Sequence, residues 1–419
     1  MVIESALVHV RQNAGENLLP DSHISQLVES LGIRFRERLL TPVVVLRLFL
    51  LQILHCNTAI NHLRQLSGMG FAASSYCEAR LRLPLVLLRR VLQWTIDASR
   101  SAGAQAVIGA RVIVMDCTTA SMPDTPELRK RFGLPRGRGC KEGVIYPILK
   151  LATLIDLASG CILRMITTPL YVHEASGVLR LSRFVRSGDI VLGDRAFCTY
   201  VHLSLLCMRG AFACMRLHQK RKLKGTKIEC WKRPESAPKW IAKAFYHTLP
   251  EFMQVRIVSY CIRRRGFRTH QVTIATTLLD ESLWPAAKIA ELYGHRWEIE
   301  TCFNHLKTTM GMCVLRCQSW GGVRRELLMY QIAYNLIRLV MLQHAIERGI
   351  QVNRVSLIDT IRFMLQRLAG LPGVPSLIIN PERPGRYHPR VIRRRMKEYD
   401  LLTEPRAARI ARELQGENA

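Results

Sequence analysis

Apolar residues follow two regimes along this chain, and the change falls near residue 110. Before it the pattern is helical. Pro42–His55 is an apolar run interrupted only by Arg47 and Gln52, and Pro stands at a first-turn position after Thr41. Asp21-Ser22 is placed to cap a helix over His23–Leu31, and Asn57 one over Thr58–Leu66. Ser74 or Ser75 is placed to cap Tyr76–Leu83, which Pro84 stops. The turn Ser67-Gly-Met-Gly, followed by a helix bearing Glu78, Arg80 and Arg82, fits a helix-turn-helix or an ordinary helical bundle.

After residue 110 β-branched runs take over. Arg111–Met115 reads as a buried strand ending in Asp116-Cys-Thr-Thr, followed by a loop over Ser121–Lys150 rich in Pro, Gly and cations. Ile148–Leu157 and Cys161–Thr168 flank the hairpin signal Ala158-Ser-Gly160, where Asp156 is a turn residue. Glu174–Arg186 reads as a helix, Gly188-Asp189 as a turn, and Ile190–Gly193 as a short strand ending in Asp194-Arg195. Helix Tyr200–Arg209 and strand Ala211–Leu217 complete a mixed α/β sheet. Residues 218–284 hold two β runs, Val255–Ile262 and Gln271–Leu279, with Trp231, Trp240, Lys220-Arg-Lys222 and Arg263-Arg-Arg265, and read as a basic β-rich insertion. Helices Ala286–Met310, Val323–Arg348 with Gly349 as its cap, and Ser356–Leu368 follow. The tail from Pro381, with Arg383, Arg386, Arg390 and Arg393-Arg-Arg395 among prolines, reads as an extended arm. The expected organisation is a helical N-terminal domain (1–105) placed to bind DNA, an α/β core (106–217 and 285–345), the insertion (218–284) and a helical, basic C-terminal region (346–419).

Charge narrows the class of partner. Of 419 residues 61 are Lys or Arg and 32 are Asp or Glu, a net charge of +29, which points to a polyanion, above all nucleic acid. An apolar fraction of 48% argues against a disordered chain. No apolar run is long enough to cross a membrane, and no secretion signal is expected, so the expected place is the cytoplasm, at the nucleoid. The 13 Cys form no CxxC pair; Cys207 and Cys214, or Cys313 and Cys317, lack a His at zinc-finger spacing, so reduced core cysteines are expected.

The candidate chemistry gathers on Tyr293-Gly-His-Arg-Trp-Glu-Ile-Glu300 and on to Lys307. At about 100° per residue, Tyr293, Arg296, Glu300 and Lys307 share an arc of roughly 60°, while Glu298 falls on the opposite side. Asp116 and Asp194 each follow an apolar strand, where a carboxylate is costly unless a cation compensates it. With Glu300 they supply three hard oxygen ligands, the set a pair of Mg²⁺ ions about 4 Å apart requires. Arg296 and Lys307 suit phosphate, the first as a fork and the second as a point charge.

Tyr293-x2-Arg296-x3-Glu300-x6-Lys307 resembles the Y-R-E-K signature of DDE transposases of the insertion-sequence-four type. Asp116-Cys-Thr-Thr resembles the first-Asp motif of that family, and Gly193-Asp194-Arg195-Ala196-Phe197 its second, with Ala196 where many relatives have Gly. Thr276-Thr-Leu-Leu-Asp280 and Leu292-Tyr293 are similar too, so the resemblance covers about residues 110–345. It implies a ribonuclease-H-like core with Asp116, Asp194 and Glu300 as the catalytic and metal-binding triad, served by two Mg²⁺ ions for which Mn²⁺ can substitute. It implies that Tyr293, Arg296 and Lys307 hold the DNA backbone, and that a Trp of the insertion, Trp231 or Trp240, is available to stack on a flipped base. The implied activity is cleavage of double-stranded DNA at the element ends and transfer of the 3′ end to target DNA, by a homodimer assembled on DNA. The rivals are a metal-dependent nuclease without strand transfer and a DNA-binding protein that has lost its chemistry.

Overall fold

One strand organises the molecule. β1 (Val112–Ser121) pairs antiparallel with β2 (Ile148–Asp156) over its length, from Ile113 opposite Asp156 to Ser121 opposite Ile148, and parallel with β4 (Ile190–Gly193) over its first half. The computed structural model describes residues 19–101, 109–135, 145–218, 225–262, 270–369 and 377–380, with Arg221 and a few positions between 404 and 411. β3 (Ile162–Pro169), β5 (Phe212–Arg216), β6 (Lys227–Lys232), β7 (Phe252–Ile262) and β8 (His270–Thr276) complete an eight-stranded sheet in the order β3-β2-β1-β4-β5-β8-β7-β6. The β1–β4 and β4–β5 pairs are parallel and the remainder antiparallel, which makes this a mixed α/β sheet. The strands of the expected insertion extend the central sheet through β5–β8.

Four local expectations change. Strand β1 does not stop at Asp116: it continues through Cys117-Thr-Thr to Ser121, because β2 keeps pairing with it after β4 has ended at Gly193. The expected loop after it holds a helix, Pro126–Phe132, whose Thr125 side chain accepts from Leu128 N. The expected helix Ala286–Met310 is segmented into Ala286–Gly294, a 3₁₀ turn His295–Trp297, an α-helix Glu298–Asn304 and a π turn His305–Thr309. The helix expected over Glu174–Arg186 ends at Leu179, and a 3₁₀ turn Ser182–Phe184 follows.

At the N-terminus, α1 (Asp21–Ser30), α2 (Pro42–Leu54), α3 (Ile60–Ser67), α4 (Ala73–Arg82) and α5 (Leu85–Ser101) pack together, and α2, α4 and α5 pack on the long helix Trp320–Arg348. Thr41 caps α2 as the sequence suggested. Asn57 does not cap α3; it takes a left-handed conformation (φ 54°) and its Nδ2 donates to the buried Glu326 carboxylate at 2.6 Å. Within the expected helix-turn-helix, Arg80 turns inward over the Phe49 ring and donates to Gln52 and Cys317, while Glu78 and Arg82 pair on the surface. Asp156 is a turn residue: its Oδ2 accepts from Ser159 N and Oγ. Lys220, Lys222, Arg263–Arg265 and nearly all of the basic tail from Pro381 lie outside the described residues.

Candidate active site

The sheet register sets the site. Met115 lies opposite Gly193 in the parallel pair, so Asp116, still within β1, and Asp194, the first residue past β4, follow side by side. Helix Glu298–Asn304 packs against β1 and brings Glu300 to them. Arg296, in the preceding 3₁₀ turn, joins two of the three carboxylates: Nη1 is 3.6 Å from Asp116 Oδ2, and Nη2 donates to Glu300 Oε1 at 2.7 Å. Asp194 is close enough for its charge to act on both Asp116 and Arg296.

Asp116 carries the perturbation. Burial, reinforced by the charges of Asp194 and Glu300, raises its carboxyl to about 6. The Cys117 backbone N–H, which donates to Oδ1 at 2.7 Å, and the Arg296 guanidinium oppose the rise without cancelling it. Burial also works against the charge on Arg296. The hydrogen bond to Glu300, with the charges of Tyr293, Glu300 and Asp194, outweighs it and raises the Arg296 pKa.

The donor set fits a divalent metal in kind: three carboxylates, one of them carrying a charge its surroundings disfavour. Among the described residues no group of three or more His, Cys, Asp or Glu side chains stands close enough together to grip an ion as placed; the Arg296 guanidinium lies between Asp116 and Glu300.

The other expected residues take different stations. Tyr293 is buried, and its hydroxyl donates to the Gly193 carbonyl at 3.4 Å, tying its helix to the end of β4 just before Asp194. Lys307 is half-buried in the π turn and has no ion-pair partner among the described residues. Glu298 faces away, as the helical wheel required, and accepts from Asn353 Nδ2 at 3.0 Å. Trp231 is 4% exposed beneath the Arg221 guanidinium, 3.8 Å from the ring centroid. Trp240 stacks near His202 and His173, at 5.6 and 6.4 Å between centroids. The exposed tryptophan among the described residues is Trp297, 63% accessible, between Arg296 and Glu298. Sequence reasoning passed over it, although at about 100° per residue it borders the Tyr293 face at about 40°.

The site thus joins a carboxylate pair at adjoining parallel strands to a helix-borne Glu and the Arg of the turn before it. The family model described as Transposase DDE domain matches residues 108–336, more than half of the chain, and the chain belongs to that family. It is 25% identical over 361 residues to Transposase InsG for insertion sequence element IS4 of Escherichia coli (strain K12), covering 78% of each chain. It is a DDE-type DNA transposase, a class that depends on divalent metal ions. Among solved structures it is similar to a piggyBac transposase synaptic complex with hairpin DNA, at 10% identity and a TM-score of 0.42 over 84% of this chain and 78% of that one, a likeness too slight to argue from. No described helix is long and apolar enough to cross a membrane.

Proposed function

We propose that this transposase binds the ends of its own insertion sequence, hydrolyses the strand there to free a 3′ hydroxyl, and directs that hydroxyl at target DNA. The core is then ribonuclease-H-like, and Asp116, Asp194 and Glu300 hold two Mg²⁺ ions, with Mn²⁺ able to substitute. Bound at this triad, the ions would supply an activated water and stabilise the leaving 3′ oxygen of an in-line displacement. The observation that supports this reading most is the register that sets Asp116 beside Asp194, with Arg296 linking Asp116 to Glu300.

The protein's own groups orient and neutralise. Arg296 holds the carboxylates against mutual repulsion in the free enzyme, and its fork suits a phosphate once the carboxylates have another cation. Lys307, without a carboxylate of its own, adds a point charge to the same phosphate run. Tyr293 fixes the approach of its helix through the Gly193 carbonyl and flanks the bound backbone. Two element ends must be processed together, so the DNA complex contains a homodimer.

Glu300→Gln keeps the size of the side chain and removes its charge. Loss of a second-sphere group at a metal site already costs about 10–100-fold, so a ligand should cost more than about a hundredfold in cleavage of end-bearing DNA with Mg²⁺. Unchanged cleavage would overturn the triad. Joined product in a plasmid target separates a transposase from a nuclease with the same triad, which would cut and not join.

A further inference from the structure

Away from the carboxylates, four arginines from four elements lie over two aromatic rings, and a fifth from another element joins them. Arg131, on helix Pro126–Phe132, lies 4.6 Å from the centroid of Trp320, and Arg324, on helix Trp320–Arg348, lies 5.9 Å from the same ring. Arg164, on β3, and Arg183, in the turn Ser182–Phe184, lie 4.7 and 5.0 Å from the Phe184 ring. Arg89, exposed on α5, joins the two groups: its charge acts on both Arg164 and Arg324. The Trp320 ring is itself braced edge-on by Phe132, at 5.1 Å.

None of the five has a carboxylate partner among the described residues. The nearby Glu127 accepts from the Trp320 backbone N–H, and Arg164 reaches only the Gln93 amide oxygen, at 3.5 Å. Burial and the like charges around them lower the pKa of Arg164 and of Arg324. Gathering like charges without acids is unfavourable in the free protein and becomes favourable only beside an anion. A single charged residue on an edge strand blunts unwanted strand pairing. That purpose needs no help from four other elements and no aromatic anchors. Arginine stacked on a ring keeps its fork turned outward with less side-chain freedom to lose, which suits repeated phosphates better than a mobile lysine fringe.

We propose that Arg131, Arg324, Arg89, Arg164 and Arg183 form a second DNA track, along the β3 edge of the sheet, that holds the phosphate backbone of a duplex outside the catalytic carboxylates. It rests on the transposase reading for the identity of the polyanion. The track is a backbone binder: it reads charge spacing and not base sequence.

The test uses the full chain and a short duplex carrying no element end, with affinity measured across a KCl series. Each phosphate contact contributes about 0.9 to the slope of log K against log salt. Arg89→Gln, Arg164→Gln and Arg324→Gln together should flatten that slope by about 2–3, while cleavage of end-bearing DNA at saturating protein stays near wild type. Arg164 and Arg324 are half-buried, so a second variant, Arg89→Glu with Arg183→Glu, confines the change to exposed side chains and should weaken the duplex by about tenfold or more. An unchanged slope and affinity in the exposed pair would overturn the track. If the wild type binds the duplex through these residues yet never cleaves end-bearing DNA with Mg²⁺, the track stands and the catalytic reading falls.

Discussion

Arg296 shows what one residue does when its neighbours are set by distant parts of the chain. In sequence it is one cation four places before a Glu. In the fold its two terminal nitrogens serve carboxylates from a strand and a helix, and Asp116 still remains hard to ionise. The excess negative charge is what a divalent cation would relieve, and it explains why a half-buried arginine is needed without one. Trp297, the next residue, is the complement: an apolar ring left in solvent at the rim of a charged site, where its burial would be favourable. Trp231 lies under Arg221 and Trp240 stacks near two histidines, so Trp297 offers the free face. Replacing Trp297 by Ala should weaken binding of end-bearing DNA by about 1–3 kcal/mol, the worth of one base stacked on an aromatic ring. Equal Kd values for wild type and variant in a titration would show that no base stacks there.

Elements matter through where they are interrupted. The helical region that carries Glu300 is one continuous right-handed path, yet it tightens to 3₁₀ at His295–Trp297 and widens to π at His305–Thr309. The first places Arg296 and the second Lys307, and such irregular turns recur at functional sites. Helix Tyr200–Met208 contributes differently. It buries His202, whose Nε2 donates to the Ala175 carbonyl at 2.9 Å while Nδ1 meets the Thr199 hydroxyl at 3.0 Å. Burial pushes the imidazole down to about 4. A depressed folded pKa means that the unfolded chain takes the proton first as pH falls. The stability is therefore fully present above about 6.5 and is lost progressively down to about 4, with a total of about 3 kcal/mol. His202→Gln should flatten this part of the pH dependence, which urea denaturation at neutral pH and near pH 4.5 will measure. An equally steep loss in the variant would assign the effect to other groups, His305 first, since burial brings it too to about 4.

At the scale of the molecule, buried polar residues bind the N-terminal helices to the sheet. Asn335 is fully buried; its Oδ1 accepts from Ile162 N at 2.7 Å, and its Nδ2 donates to the Ile162 carbonyl at 3.0 Å and to Thr95 at 3.1 Å. One side chain thus links the long helix, β3 and α5. Glu326 does the same, taking Asn57 from the N-terminal helices together with the backbone N–H groups of Arg316 and Cys317. Asn335→Ala would strand two backbone groups of Ile162 away from water, at a cost on the order of 3 kcal/mol. Because the link crosses layers, the helices and the sheet should unfold at the same lowered midpoint, read by circular dichroism and by tryptophan fluorescence. Two separated transitions would show that the N-terminal helices fold as an independent unit.

Much of this was readable before any coordinates. β4 falls at Ile190–Gly193 as read, β2 and β3 lie within a residue or two of their expected ends, and Gly349 closes the long helix at φ 62°. Local signals suffice for these, since a β-branched run, a two-sided turn and a left-handed glycine act over a few residues. The helical wheel also separated Glu300 from Glu298, because 100° per residue is a local property. What lay beyond the sequence depends on partners far along the chain. The extension of β1 past Asp116 is set by β2, the inward turn of Arg80 by Phe49, Gln52 and Cys317, and the burial of Tyr293 by the Gly193 carbonyl. The sequence by itself singled out the candidate residues for the chemistry and most of the order in which strands and helices follow. Only the tertiary structure decided that Asp116 and Asp194 meet at neighbouring strands, that Arg296 spans two carboxylates, and that Trp297 is left in solvent. Pairing, ion placement and burial are interactions between segments, and their energies are fixed when the segments meet.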